Sequence, residues 1–293
     1  MNYYLSVISA FWSLISLRKI TWKNIIISMI WAHIATYSYA SGITVWPLII
    51  CLVWLLGNDS LQNKILYTLT VSVVFALNLV LYFNDYHPAS STVITKSTNP
   101  VELVPYALAF LSNNFTTSSK TAIILTLVQF VSIGLSMLVL LKNDKVKFFN
   151  AVPIYAYGFW AVIVGFMVAH GRASLGITQA LSPRYCTLSF PFTILFVISL
   201  IINIENISSM TKIKLFQKLS PTFLYLIVAF FSFYQVKFVE MANQRNQKLE
   251  KALAYIRASN FEAPEVKEML YPDAEQLKHK VEIMKKYNLS LYR

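Results

Sequence analysis

The chain has 293 residues, of which 56% are hydrophobic and only 13% charged, with a mean hydropathy of +0.55. Soluble domains carry about 25% charged residues, so the composition excludes an ordinary soluble protein and indicates an integral membrane protein. The net charge of +12 would suggest a nucleic-acid partner in a soluble chain. Here the basic residues lie in short loops beside apolar runs, where membrane topology and anionic lipid account for them, and no nucleic acid is expected.

A membrane span needs about 20 apolar residues. The first candidate, 3–17, is short and is followed by Arg18, Lys19 and Lys23. Residues 25–56 are apolar almost throughout, too long for one upright helix. Ser41 and Gly42 in their middle supply a turn, and Pro47 follows, so two short helices are expected, 25–40 and 42–56. Another span is predicted at 65–83. The polar interval 84–120 then holds Asp85, His87 and Glu102, with an apolar patch at 103–111 that is too short to cross and is expected to lie at the interface or fold back on the bundle. Further spans are predicted at 121–141, 151–170, 188–204 and 221–238.

Lys142, Lys145 and Lys147 mark one loop as cytoplasmic, and Lys212, Lys214 and Lys218 another. With the basic group at 18–23 on the same side, eight spans alternate consistently. Loops 84–120 and 171–187 and the tail then fall on the far side. The tail, 239–293, reads as a small soluble helical appendage, periplasmic by the span count: Leu249, Leu253 and Ile256 form one stripe, and Leu277, Val281 and Met284 another. The expected fold class is therefore all-α, a polytopic helical bundle at 1–238 with a C-terminal helical appendage. Cys51 and Cys186 form no metal or disulfide pattern, and no Gly-rich phosphate loop or nucleophile motif is present, so neither metal nor cofactor is expected.

The residues with most chemical content lie in 170–191. Arg172 and Arg184 are the only arginines between Arg18 and Arg245. A guanidinium beside a bilayer core is costly unless paired, hydrated or snorkelling, and its planar fork suits phosphate and carboxylate. Two readings follow: a grip on a lipid-linked phosphate, or structural anchors that reach headgroups or pair with Glu102. His170 is a candidate proton carrier or phosphate donor, and Gln179 and Tyr185 are candidate sugar hydrogen bonders. Asp85 is the weak candidate for a catalytic base, with a turn residue before Pro88 as its bland reading. His33 and Asn78 lie within spans and are expected to bond across helices. Trp12, Trp22, Trp46, Trp54, Tyr82 and Tyr86 fall near span ends and read as an aromatic belt.

The segments YSYASGITVWPL (37–48), NDYHP (84–88), YALAFLSN (106–113), GRASLGITQALSPRY (171–185) and MLYPDAEQLKHKVEIMKKYNLSLY (269–292) resemble the membrane-embedded latter part of bacterial polyprenyl-phosphate-sugar-dependent glycosyltransferases and related surface polysaccharide assembly proteins. The resemblance implies a multi-pass protein of the bacterial inner membrane, acting in cell-surface glycan or glycolipid assembly on a polyprenyl-phosphate-linked sugar. If it is an enzyme, it is a glycosyltransferase. Such enzymes keep an acidic catalytic residue in their first external loop, whereas this chain has no acidic residue before Asp59. Its start therefore resembles the middle of a longer protein, which implies a truncated relative or an accessory. An O-antigen polymerase-like protein and a non-catalytic membrane subunit or scaffold are the alternatives.

Overall fold

The computed structural model describes residues 2–84 and 98–211 and, in the C-terminal region, 243, 247, 249–263, 266, 277–278 and 281–282; for 2 and 207–211 it describes the backbone alone. Asp85 and His87, the basic group at 212–218 and the apolar run 221–238 lie outside these residues. Every regular element among the described residues is helical, as the composition predicts. In order they are α1 (Asn2–Ile15), α2 (Trp22–Ser38), α3 (Val45–Leu56), α4 (Leu61–Asn84), α5 (Pro100–Leu111), α6 (Ser119–Asn143), α7 (Lys145–Arg172) and α8 (Cys186–Thr211). The segments Leu61–Asn84, Ser119–Asn143, Lys145–Leu175 and Pro183–Asn206 are long and apolar enough to cross a membrane, whereas Ala40–Leu56 and Pro100–Leu111 are shorter apolar segments. The chain is a helical membrane protein. Of the eight predicted spans, these four reach crossing length among the described residues.

Local chemistry explains where several helices begin. Thr21 accepts from the Asn24 N–H at the start of α2, and Asn99 accepts from Val101 at the start of α5, where Pro100 occupies the first turn. Asp144 accepts from Lys147 at the start of α7 and also pairs with its ammonium at 3.3 Å. Each cap satisfies a backbone donor that has no partner within its helix. The Lys147 backbone N–H, as the largest influence, holds the Asp144 carboxyl below its usual range.

The predicted break in 25–56 is real. α2 stops at Ser38, a 3-10 turn covers Ala40–Thr44, and α3 follows. Small residues permit this tight return: at Gly42 an added Cβ would lie 2.1 Å from the carbonyl carbon of Ala35. α1 and α2 form an antiparallel hairpin fastened by serines. Ser6 Oγ donates to Ala35 O at 3.3 Å, and Ser13 Oγ to Ser28 O at 2.9 Å. Close approach of small residues with side-chain hydrogen bonds is how helices associate where water supplies no hydrophobic drive.

α2 and α4 run parallel, because Trp22 packs on Tyr67, His33 bonds Asn78 and Tyr37 packs on Tyr82 at a constant offset of 45 residues. His33 and Asn78 thus bond across helices as expected. Tyr157 and Trp160 of α7 join the two halves of the bundle by donating to Val7 O and Ser41 O. From Tyr157 to Trp160, α7 therefore rises towards the turn at Ser41. The short connections between helices then fix the remaining directions. One end of the bundle carries Arg18, Lys19, Lys23, Lys64, Lys142, Lys145 and Lys147, and the other carries the turn at 40–44 and the connection 173–185. That second end also carries Lys120, Arg172 and Arg184, so the lysine-rich end differs from it in number of basic residues.

Trp46 is not part of an aromatic belt. It is fully buried, stacked on Phe75 at 5.8 Å, and its indole N–H donates to Thr36 Oγ1. A position near a span end in sequence lies inside the bundle here, because the helix it begins starts below the tight turn.

The chain divides into two compact units, Met1–Tyr225 and Leu226–Arg293. In the second, Ala252 and Ile256 are buried with Ala263, Val266, Leu277 and Val281 in a small core of their own, against which Phe261 packs. Leu277 and Val281 repeat at the helical spacing read from the sequence.

Candidate functional site

The apolar patch at 103–111 folds back on the bundle. α5 packs against α6, α7 and α8, and the polar turn that follows it is held inside by a buried network. Ser112 Oγ lies 2.6 Å from Thr126 Oγ1 and donates to Gln129 Oε1 at 2.9 Å, and Thr126 donates to Leu108 O. Ser189 Oγ donates to Asn113 Oδ1 at 2.6 Å and accepts from Asn114 Nδ2, which also reaches Thr193 Oγ1. These side chains are buried, and buried polar groups persist when they satisfy one another. The network fixes the depth of α5.

The connection after α7 is built from three short 3-10 segments, Ala173–Leu175, Ile177–Leu181 and Pro183–Tyr185. Gly176 joins the first two at φ +92 and ψ 152, a region essentially reserved for glycine. Ala180 and Leu181 are buried, and Asn113 Nδ2 donates to Ala180 O at 3.4 Å. The network around α5 thus also holds this connection at Ala180.

Of the residues singled out from the sequence, Arg184, Gln179 and Tyr185 come together directly. The Arg184 guanidinium lies over the Tyr185 ring, 4.9 Å from its centroid, and donates to Gln179 Oε1 at 3.5 Å, the outer limit of a hydrogen bond. Arg172 ends α7 and is half-buried. Its charge acts on Tyr39 and Tyr106, and the charge of Arg184 acts on Tyr106 as well. Among the described residues neither guanidinium forms a salt bridge. His170 is exposed and precedes Arg172 by two positions on α7. Residues at that spacing do not face each other on a helix. Asp85 lies outside the described residues.

Three further residues complete the cluster: Tyr3, Tyr39 and Tyr106. The rings of Tyr3 and Tyr39 lie 4.6 Å apart. Tyr106 and Phe110 are four residues apart on one face of α5, and Phe110 packs on Tyr185 at 5.6 Å, so Tyr106 faces the same side. Burial, then Tyr185, raises the pKa of the Tyr106 phenol, with both arginines opposing. Tyr106 and Tyr185 are 1% and 2% exposed, and although their hydroxyls lie near enough to influence each other, neither has a partner of hydrogen-bonding geometry. Sequence reasoning missed Tyr3, Tyr39 and Tyr106 because they come from three separate places: α1, the end of α2 and α5. Their one signal was that each lies close in sequence to a predicted turn or rim.

The arrangement defines a class: a helical membrane bundle with a folded-back short helix and a rim where Arg184 overlies Tyr185 and Arg172 ends the neighbouring helix. Compared with known proteins, the chain matches no family model, no curated protein and no solved structure.

Proposed function

We propose that this chain is a multi-pass bacterial inner-membrane protein, with about eight spans, that holds the phosphate of a lipid-linked sugar at its non-cytoplasmic end. Its role on this reading is cell-surface glycan or glycolipid assembly, as a lipid-linked-sugar glycosyltransferase or a relative of one. The observation that carries it is the pair of guanidiniums without salt-bridge partners among the described residues, set at the end of the bundle opposite its lysine-rich rim. Guanidiniums at membrane depth need anionic company, and phosphate satisfies their fork best. The positive-inside rule puts the lysine-rich end in the cytoplasm and the arginines outside. Gln179 supplies a hydrogen-bonding amide for the sugar, and Asp85 is the proposed base on sequence grounds.

The test is Arg184→Ala in cells that depend on this chain for their surface glycan. The glycan is expected to disappear while the amount of protein in the membrane stays constant, and an unchanged glycan discards the reading. Turnover of a labelled polyprenyl-phosphate sugar by the purified protein then separates an enzyme from a phosphate-holding subunit.

A further inference from the structure

Tyr106 and Tyr185 are buried with hydroxyl groups that lack hydrogen-bond partners among the described residues, where most other buried polar side chains are satisfied. A phenol in that position loses its water without compensation, which destabilises the fold unless something else uses the group. Tyr185 lies beneath Arg184, and Tyr106 is on the same face of α5 as Phe110, which packs on Tyr185. That arginine covers Tyr185 through a ring contact and a long, weak bond to Gln179, both of which an incoming anion can replace. α5, held by its network with α6 and α8, and the seated connection at 177–185 keep the phenols in place before any ligand arrives.

We infer that Tyr106 and Tyr185 are binding residues whose hydroxyl groups donate to the oxygens of a diphosphate group, with Arg172 and Arg184 neutralising its charge. The inference rests on the phosphate-holding reading above and adds the ligand class and two donors. A diphosphate presents several acceptor oxygens and more than one negative charge, which matches two phenols and two guanidiniums better than a carboxylate or a neutral sugar does. The same chemistry is offered by a lipid diphosphate and by the free ion.

The experiment measures binding of farnesyl diphosphate, and separately of inorganic pyrophosphate, to the full chain in detergent, by calorimetry. The proteins compared are wild type, Arg172→Ala, Tyr106→Phe and Tyr185→Phe. Each Phe variant is expected to bind about ten-fold or more weakly, the effect of losing a hydrogen bond to a charged group. In the absence of ligand each should unfold at the same temperature as wild type or higher, because an unpaired buried hydroxyl has been removed. Lower stability together with unchanged binding would mark the phenols as structural and overturn the inference, as would unchanged binding alone. If wild type binds and Arg172→Ala does not, while both Phe variants bind normally, the phosphate-holding reading survives and this inference fails. Absence of binding by wild type overturns the diphosphate assignment, while the phosphate-holding reading is judged by the surface glycan of Arg184→Ala. Binding of the farnesyl compound alone identifies a lipid source, and binding of both ligands identifies the diphosphate group as sufficient.

Discussion

Gly42→Ala tests whether the tight return between α2 and α3 is what holds the rim together. The added methyl would lie 2.1 Å from both the carbonyl carbon and the oxygen of Ala35 and 2.5 Å from the Thr36 nitrogen, all backbone atoms. Ordinary contact begins at 3.4 Å, so the turn and the end of α2 must separate by roughly 1.3 Å, and no side-chain rotation can supply that. Overpacking of this kind costs about 1–3 kcal/mol. The shift also pulls on the bonds from Trp46 to Thr36 and from Trp160 to Ser41, at about 0.6 kcal/mol for each bond lost between membrane helices. A total loss of about 2–4 kcal/mol is expected. Unfolding in mixed micelles of rising denaturing-detergent fraction, followed by tryptophan fluorescence, measures it. Gly134→Ala is the control, since nothing lies within 4 Å of its added methyl, and it should be neutral or slightly stabilising. Equal stability of the two variants would refute the account of the turn.

Ser189→Ala removes a donor to Asn113 and an acceptor for Asn114 at once, and a loss of about 1–3 kcal/mol is expected in the same unfolding measurement. Asn78→Leu deletes the bond to His33 while retaining volume, so a smaller loss, about 0.6–1.7 kcal/mol, should appear. Gly176→Ala meets no atom within 4 Å but must hold φ near +92. Its cost, about 1–3 kcal/mol of local strain, should show as faster proteolysis within 171–187 rather than as global unfolding. Orientation is checked by single cysteines at the exposed positions Ser174 and Ser60, with Cys51 and Cys186 replaced. A membrane-impermeant maleimide added to intact cells should label the first and spare the second, and the reverse pattern would put the arginines in the cytoplasm.

What could be read from the sequence differs between the two halves of the site for a physical reason. Hydropathy is local, so the break at Ser41, the short patch at 103–111 and the polar connection at 170–187 all appear in windows of a few residues. Arg172 and Arg184 stand out because charge is rare in such a chain. The tyrosines carry no such mark: the chain has 17 of them, and an interfacial belt accounts for a tyrosine near any span end. What distinguishes Tyr106 is that α5 folds inward, and that depends on Ser112, Asn113 and Asn114 finding Gln129, Ser189 and Thr193 on helices up to 79 residues away. Trp46 was misread for the same reason, since its burial follows from a turn that only Gly42 permits. A folded-back helix is itself the outcome of a polar motif that hydropathy scores as a loop. In a membrane chain, a serine–asparagine run after a short apolar patch therefore signals burial as readily as exposure, provided that amide and hydroxyl partners recur in the spans on either side.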